Sequence, residues 1–348
     1  MSNGEIVYEA DELQRFTEAA LRALGTGAAD ARYIAGQIVG SELAGHESHG
    51  LRRLPEYVQR AQGGWAAPSA SASVEVDRGS LVRLNGNGGF GHTVMRDATG
   101  LAIERSRAHG IAAVAVHNSE YAGRLSYFCE AAAEAGVATL LFVNDSGAGK
   151  NVAPPGGLEG RMSTNPIAAG IPRAQAPHLV LDIATSAVAM GRLSEWRDRG
   201  EDIPHDWVTP EGFLRSFGGH KGFGLALVAE ALAGALTTAG TVSAVPATPA
   251  GQLQGALLIA LDVEQLRPLD EFVAEVESFL CYLQDTPVAP DAAPVRVPGE
   301  GGAETAERRL AEGITLKPFT RDALRLLAED LGLAMPTARG TADEEQST

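Results

Sequence analysis

The 348-residue chain is poor in cysteine, in aromatic residues and in positive charge, and it contains no long hydrophobic run. Only Cys129 and Cys281 are present, each in a segment with helical spacing. Two such distant thiols exclude a disulfide framework or a zinc cluster of their own and fit a reducing compartment. Lys and Arg number 28 against 44 Asp and Glu, a formal charge of −16. A surface of that sign repels phosphate backbones and anionic lipid, which excludes nucleic acid and membrane surfaces as partners and requires a local basic site for any acidic substrate. No stretch approaches the ~20 uninterrupted apolar residues of a membrane span. The opening MSNGEIVYEADELQRF has neither a basic n-region nor an apolar h-region, so no secretory leader is expected there and the expected compartment is the cytoplasm.

What is present is a folded-protein composition, 45 % hydrophobic. At ~150 residues per domain, the length corresponds to about two domains or one large α/β unit. Apolar residues at three- and four-residue spacing predict helices over 10–24 and 28–44, with a shorter one at 54–62. The Gly-, Pro- and Ala-rich stretch GGWAAPSAS (63–71) then marks a boundary near 70. Residues 1–70 are therefore expected to form a helical subdomain, packed with a C-terminal helix drawn from 304–335. From 71 to 303 strands and helices alternate. Strands are expected at SASVEV (71–76), SLVRLN (80–85), IAAVAVH (111–117), VATLLFVN (137–144), IAAGI (167–171), HLVLDIA (178–184) and ALLIALD (256–262). Helices are expected at 91–108, 126–135, 219–237 and 268–283, with a last one at 320–332. This alternation indicates a mixed α/β region. Residues 285–303 read as a long connection and 336–348 as a disordered tail.

Several short motifs admit a chemical reading. Gly86-Asn-Gly88-Gly-Phe-Gly91 lies between a predicted strand and a predicted helix and spells G-x-G-x-x-G, either a dinucleotide fingerprint or a glycine-rich turn. The acid that follows the next strand is Glu120, nearer 30 than ~20 residues on. Gly147-Ala-Gly149-Lys150 lacks the first glycine and the Ser or Thr of a phosphate loop and is set aside. His46-Glu47-Ser48-His49 is one residue shorter than a helical zinc motif. Ser48, His49 and Arg53 combine a hydroxyl, a titratable imidazole and a guanidinium able to pair with a carboxylate; the alternative is a helix end whose imidazoles meet the C-terminal dipole. Asp182 ends an apolar strand, in either a catalytic or a capping role. Gly218-Gly-His220-Lys221-Gly-Phe-Gly224 opens an apolar helix and is either an anion site or a linker into a buried helix.

Together these stretches resemble a known family, the malate/L-lactate dehydrogenase type that includes ureidoglycolate and L-sulfolactate dehydrogenases, 2,3-diketogulonate reductase and Δ1-piperideine-2-carboxylate reductases. The resemblance is carried, in family order, by SHGLRRLPEYVQRAQGG (48–64), GNGGFG (86–91), STNPIAAGIP (163–172), LDIATSAVAMGRL (181–193), GGHKGFGLALVAEALAGAL (218–236) and VPGEGGAETAERRLAEGI (297–314). It implies nicotinamide-dependent hydride transfer, with NADH or NADPH, on a non-Rossmann α/β fold. That fold has a largely antiparallel central sheet and an N-terminal helical subdomain, in a homodimer, and it overrules the literal fingerprint at Gly86. It also implies Ser48 and His49 as a catalytic pair with Asp182 as acidic partner, and Arg53 on the substrate carboxylate. Glu120, Asp182, Ile183, Ala184, His220, Lys221, Pro298, Gly299 and Glu300 match dinucleotide contacts.

Departures from the family pattern bear on the substrate. Relatives carry a proton-transferring histidine in a stretch like N-S-x-H-x-G; here Asn118-Ser-Glu120-Tyr121-Ala-Gly123 puts Tyr121 there. A phenol ionises near pH ~10 in water, so it donates a proton near neutrality but is a poor base. This favours reduction, and a substrate that is easily protonated, such as a cyclic imine. At the small polar position that touches substrate, counting gives Asp145, with Ser146 as its rival. The usual Asn-x-Gly-His reads Leu253-Gln-Gly255-Ala, and Arg124 and Lys150 are candidates to meet a 2′-phosphate. The reading is a cytoplasmic NADH- or NADPH-dependent reductase of a small cyclic imino or 2-oxo acid. The alternatives are a 2-hydroxy acid dehydrogenase working oxidatively and a catalytically silent dinucleotide-binding dimer.

Overall fold

The computed structural model describes residues 6–146, 149–198, 200–244 and 253–339. In chain order come β1 (Val7–Tyr8), α1 (Ala10–Ala23), α2 (Ala28–Leu43), two 3-10 turns (Glu47–His49 and Leu51–Arg53) and α3 (Leu54–Gln62). Then follow β2 (Ser73–Asp77), β3 (Leu81–Asn85), α4 (Gly91–His109), β4 (Ile111–Ser119), α5 (Ser126–Glu134), β5 (Val137–Ser146), β6 (Ile167–Ile171) and β7 (Leu179–Ile183). The remainder is α6 (Met190–Asp198), α7 (His220–Ala229) continued by a π-turn (Glu230–Ala235), β8 (Leu253–Asp262), α8 (Leu269–Gln284), α9 (Glu300–Glu312), β9 (Ile314–Thr315) and α10 (Pro318–Leu331). The chain divides into two compact units: the described residues up to Ser69 with those from Glu300 onward, and the described residues from Ala70 to Gly299. No helix among the described residues is long and apolar enough to cross a membrane.

The first unit is helical because its apolar residues recur at i, i+3, i+4 and i+7. Leu13, Phe16, Thr17, Ala20 and Leu21 form the buried stripe of α1, and Ala31, Ile34, Ala35, Ile38, Val39 and Glu42 that of α2. Pro55 and Pro318, whose missing N–H costs nothing in a first turn, start α3 and α10. In place of one helix over 304–335 there are two, α9 and α10. Gly313, at φ +88°, breaks the helix, and Ile314–Thr315 leave it to pair with Val7–Tyr8. The tail is placed further than expected: Ala338 bridges Tyr8 and the Arg339 N–H donates to the Val7 carbonyl. Residues 340–348 lie outside the described residues.

The second unit is a seven-stranded sheet in the order β2-β3-β4-β8-β5-β6-β7. Five of its six pairings are antiparallel, the β3–β4 pair alone being parallel. Strict alternation puts Val82, Leu84, Val114, Val116, Leu141, Val143, Leu258 and Ala260 on one face, under Val94, Met95, Ala98 and Ala102 of α4 and Phe128, Cys129 and Ala132 of α5. The expected 219–237 helix is α-helical only to Ala229 and then widens into the π-turn, a distortion that recurs at functional sites. The sequence reading passed over α6, opened β8 three residues late and left the start of α9 in a connection.

β3, α4 and β4 do form a strand–helix–parallel strand unit, but the Gly86–Gly91 glycines serve the chain's own packing. A Cβ on Gly86 would stand 2.7 Å from the Asn118 carbonyl oxygen, and one on Gly91 would run into the Glu120 and Tyr121 backbone. Gly91→Ala is therefore expected to cost about 1–3 kcal/mol, read as a lower melting temperature. Gly100→Ala, in open space on the same helix, is expected to gain about 0.5–1 kcal/mol from helix propensity alone.

Candidate active site

Strand direction gathers chemistry at one end of the sheet. β4 runs parallel to β3; β8 lies antiparallel to both β4 and β5, and β6 to both β5 and β7, so β3, β4, β5 and β7 all point the same way. Their carboxyl ends, where open α/β sheets receive ligands, carry the Gly86–Gly91 turn, Glu120–Tyr121, Asp145 and Asp182–Ile183 respectively. Register sets the rows: Ser119 pairs with Gln254, which pairs with Asp145, and Ile183 pairs with Ile167, which pairs with Phe142.

The segment after β4 is held from several sides. The Glu120 N–H donates to the Gly89 carbonyl, Gln254 Oε1 accepts the Ala122 N–H at 2.9 Å, and Gly91 packs beneath Tyr121. Glu120 is buried, Tyr121 half-buried. His92 packs against Gly123, and complete burial pushes its imidazole down to about 4, keeping it neutral. Asp145 is the last residue but one of β5, and Gly149 leaves room for its carboxylate and for the buried Ser163. The Ser146 side chain lies outside what the structure describes.

Asp182 carries a structural duty. Its Oδ2 accepts the Ser126 N–H at 2.9 Å, and the Leu125 N–H also points to it, so it caps the first turn of α5 from a neighbouring strand. Burial pushes its carboxyl above the ordinary range, opposed by those two N–H groups and by Arg124. Arg124, a candidate for a 2′-phosphate, is occupied there: its guanidinium stacks 4.3 Å from the Tyr127 ring and pairs with Glu130. Lys150 is exposed.

Beyond Ile183 and Ala184 the chain meets the start of α7. The Phe217 N–H donates to the Thr185 carbonyl at 3.1 Å, and Gly222 lies against that same oxygen. Gly218 and Gly219 have φ of +54° and +61°, conformations that only glycine adopts cheaply, and the space where a Gly219 side chain would stand is open. His220 and Lys221 follow, both exposed, at the positive end of the helix. A cavity of about 820 Å³ adjoins this turn, lined by Pro154, Gly157, Trp207, Ser216, Gly218 and Gly219 among others. Pro298 and Gly299 run beside the start of β7, where the Val180 N–H donates to the Pro298 carbonyl. Open glycine backbone, a helix N-terminus, Lys221 and a cavity of ligand size fit a phosphate-bearing dinucleotide.

The first unit holds its own cluster. Ser48 Oγ and His49 Nδ1 share a hydrogen bond of 2.9 Å, and Arg53 Nε donates to the Ser48 carbonyl while its Nη1 pairs with Glu56. Glu47 is held by Arg309 and Lys317, which outweigh burial and keep its carboxyl below the ordinary range. Glu300 is the first residue of α9.

Three polar residues escaped the sequence reading. Glu42 sits on the buried stripe of α2, an acid at a core position. Glu230 is the one charged residue between Lys221 and Asp262. It accepts hydrogen bonds from Asn165 at 2.6 Å, Asn144 at 3.3 Å and the Val242 N–H at 2.6 Å. Gln254, assigned to a stretch that loses polar groups, opens β8 and holds Ala122. The isolated acids were visible as breaks in apolar patterns; Gln254 carried no such signal.

Comparison with known proteins agrees with this geometry. Residues 8–325 match the family described as Malate/L-lactate dehydrogenase. An L-lactate dehydrogenase of Cupriavidus necator is 37 % identical over 326 residues, 88 % of this chain and 92 % of the relative. A Δ1-pyrroline-2-carboxylate/Δ1-piperideine-2-carboxylate reductase of Pseudomonas aeruginosa is 31 % identical over 337 residues, 91 % of this chain and 98 % of the relative. The solved malate dehydrogenase of Pyrococcus horikoshii superposes with a TM-score of 0.84 at 29 % identity, covering 95 % of this chain and 97 % of that one.

The capping role of Asp182 gives a direct expectation. Asp182→Ala leaves first-turn N–H groups of α5 without an acceptor and is expected to cost about 1–3 kcal/mol. Asp182→Asn keeps a neutral acceptor and most of the stability. Thermal melts of both variants check this.

Proposed function

Given that the chain belongs to the malate/L-lactate dehydrogenase family of oxidoreductases, we propose that it is an NADH- or NADPH-dependent reductase that transfers hydride to C2 of a small cyclic imino acid or 2-oxo acid. The observation that carries this reading is Tyr121. It stands at the carboxyl end of β4, on backbone fixed by Gly91 and Gln254, where the resemblance places a histidine. A phenol donates a proton to an atom gaining negative charge but accepts one poorly, so reduction is the easier direction. A cyclic imine protonated before hydride arrives makes the least demand on it, and the Pseudomonas aeruginosa relative bears the name of an imine reductase.

The remaining roles are those that the family resemblance implies. The nicotinamide supplies the hydride. Arg53, oriented by Glu56 and the Ser48 carbonyl, takes the substrate carboxylate. His49, set by Ser48, relays a proton, and Asp182, which caps α5, is the acidic residue that the resemblance assigns to the reaction. Backbone at Asp182–Ala184, His220–Lys221 and Pro298–Glu300, with Glu120, holds the dinucleotide. Asp145 disfavours a second carboxylate and suits an imine or amine nitrogen, with Ser146 beside it. The L-lactate dehydrogenase of Cupriavidus necator, at 37 % identity, supports the second reading, a 2-hydroxy acid dehydrogenase.

A second copy of the chain is the proposed partner. Leu81, Ala113, Ile259, Leu140, Ala169 and Leu181 pair in one row across six strands on the sheet face opposite α4 and α5. Leu81 is 57 % exposed and Leu140 and Leu181 are 37 % exposed, an apolar surface of the kind dimers cover. Light scattering is expected to give twice the chain mass, and Leu140→Lys with Leu181→Lys to lower it to that of one chain.

Loss of reduced-nicotinamide absorbance with a cyclic imino acid and matched 2-oxo acids tests the activity. Rapid imine turnover is expected; in Tyr121→Phe, reduction of a 2-oxo acid, whose oxygen needs the proton, falls at least ~100-fold, and that of the protonated imine falls less. Turnover of oxo acids alone supports the dehydrogenase reading; turnover of neither supports the silent dimer.

A further inference from the structure

The Ser48–Arg53 segment rests on a buried acid that the proposed chemistry does not use. Glu42, 3 % exposed near the end of α2, turns its carboxyl under the two 3-10 turns. Its Oε1 accepts the Leu51 N–H at 2.9 Å. It also fills the space beside Gly50, where a Cβ would stand 2.5 Å from that oxygen and 2.7 Å from Cδ and Cγ. Gly50 and Leu51 are the residues between His49 and Arg53, so both ends of the cluster hang from this contact. The Arg53 N–H donates to the Gly50 carbonyl, and Arg309 ties the same region together, donating to the Glu42 carbonyl and to the Glu47 carboxylate. We infer that Glu42 is a positioning residue, whose carboxyl locks Gly50 and Leu51 and thereby fixes Ser48, His49 and Arg53 in their working arrangement. The inference deepens the proposed function and rests on its assignment of His49 and Arg53.

The charged groups facing Glu42 are Glu47 from the first 3-10 turn, Arg309 from α9 and Lys317 ahead of α10. Burial first, and the Glu47 carboxylate second, push the Glu42 carboxyl up to about 8; the Leu51 N–H, Arg309 and Lys317 pull the other way. At neutral pH the lock is therefore mainly a neutral acid. Ionisation places a second buried charge beside Glu47 and works against the packing. Between the ordinary value of 4.5 and about 8 the unfolded chain has released a proton that the folded chain keeps, so this group's contribution to stability falls as pH rises through that window and is constant above it.

The test uses the full chain and the variants Glu42→Gln and Glu42→Ala. Exchange of the Leu51 amide, followed by NMR against pH without substrate or cofactor, reads the lock independently of turnover. In the wild type, protection is expected to fall steadily as pH rises from 4.5 to about 8 and to level off above that. The fall is absent in Glu42→Gln, and in Glu42→Ala the amide exchanges at least ~10-fold faster at neutral pH. In activity, the wild-type kcat/KM profile carries an ionisation near pH 8 that Glu42→Gln lacks. Glu42→Ala loses ~10- to 100-fold in kcat/KM, with KM for the carboxylate substrate raised, and Gln in place of Ala recovers most of that loss. Leu51 exchange in Glu42→Ala equal to wild type, with the same pH response, overturns the inference. If no substrate turns over, the proposed function fails while Leu51 exchange still decides whether Glu42 is the lock.

Discussion

Strand β8 sits between β4 and β5 and runs against both, and the arrangement of the second unit depends on that insertion. An antiparallel neighbour inserted between two strands leaves those strands pointing the same way, and β6 does the same for β5 and β7. A sheet that is antiparallel in five of six pairings thus presents four carboxyl ends together, as a parallel sheet would. The Gly86–Gly91 turn, Tyr121, Asp145 and Asp182 meet at one end because of strand order, with no dinucleotide fingerprint required. The glycines that spell one close a helix against the chain's own backbone.

Buried polar groups hold loops in both units. Asp182 caps α5, Glu230 binds Asn144, Asn165 and the Val242 N–H at the start of a π-turn, and Glu42 supports the segment that carries Ser48 and His49. Each takes backbone or amide donors that would otherwise lie unpaired in a low-dielectric interior, where a missing partner costs about 1–3 kcal/mol. Apolar packing fills the space between elements, but a donor and acceptor at fixed positions specify how a loop leaves a strand. Irregular segments such as 120–123 and 184–185 need that specification most, because they lie beyond the strand ladders of β4 and β7.

The helices and most strands were legible in their apolar patterns: residues 13, 16, 17, 20 and 21 in α1, alternating burial through β4, and a continuous apolar run in β8. The division of 304–335 into α9 and α10 was not, since Gly313 acts through a two-residue strand whose partner lies some three hundred residues away in sequence. Likewise, the π-turn follows from what Glu230 reaches in space, which no local pattern records. Within the site, His220, Lys221 and the double glycine stood out by composition. Gln254 did not, because its importance comes from register, Ser119 on one side and Asp145 on the other. The double character of Asp182, a proposed catalytic partner that also caps a helix, likewise needs coordinates to be seen.

The central claim is that the carboxyl ends of β4 and β7, with the α7 N-terminus, receive a nicotinamide dinucleotide. Hydrogen exchange of the full chain with and without reduced nicotinamide dinucleotide, in each phosphorylation state, tests it most directly. Protection is predicted at 118–123, 182–185, 217–222 and 298–300, with little change at 86–89. Protection centred on 86–89, or none at 182–185 and 217–222 under saturating dinucleotide, would contradict it.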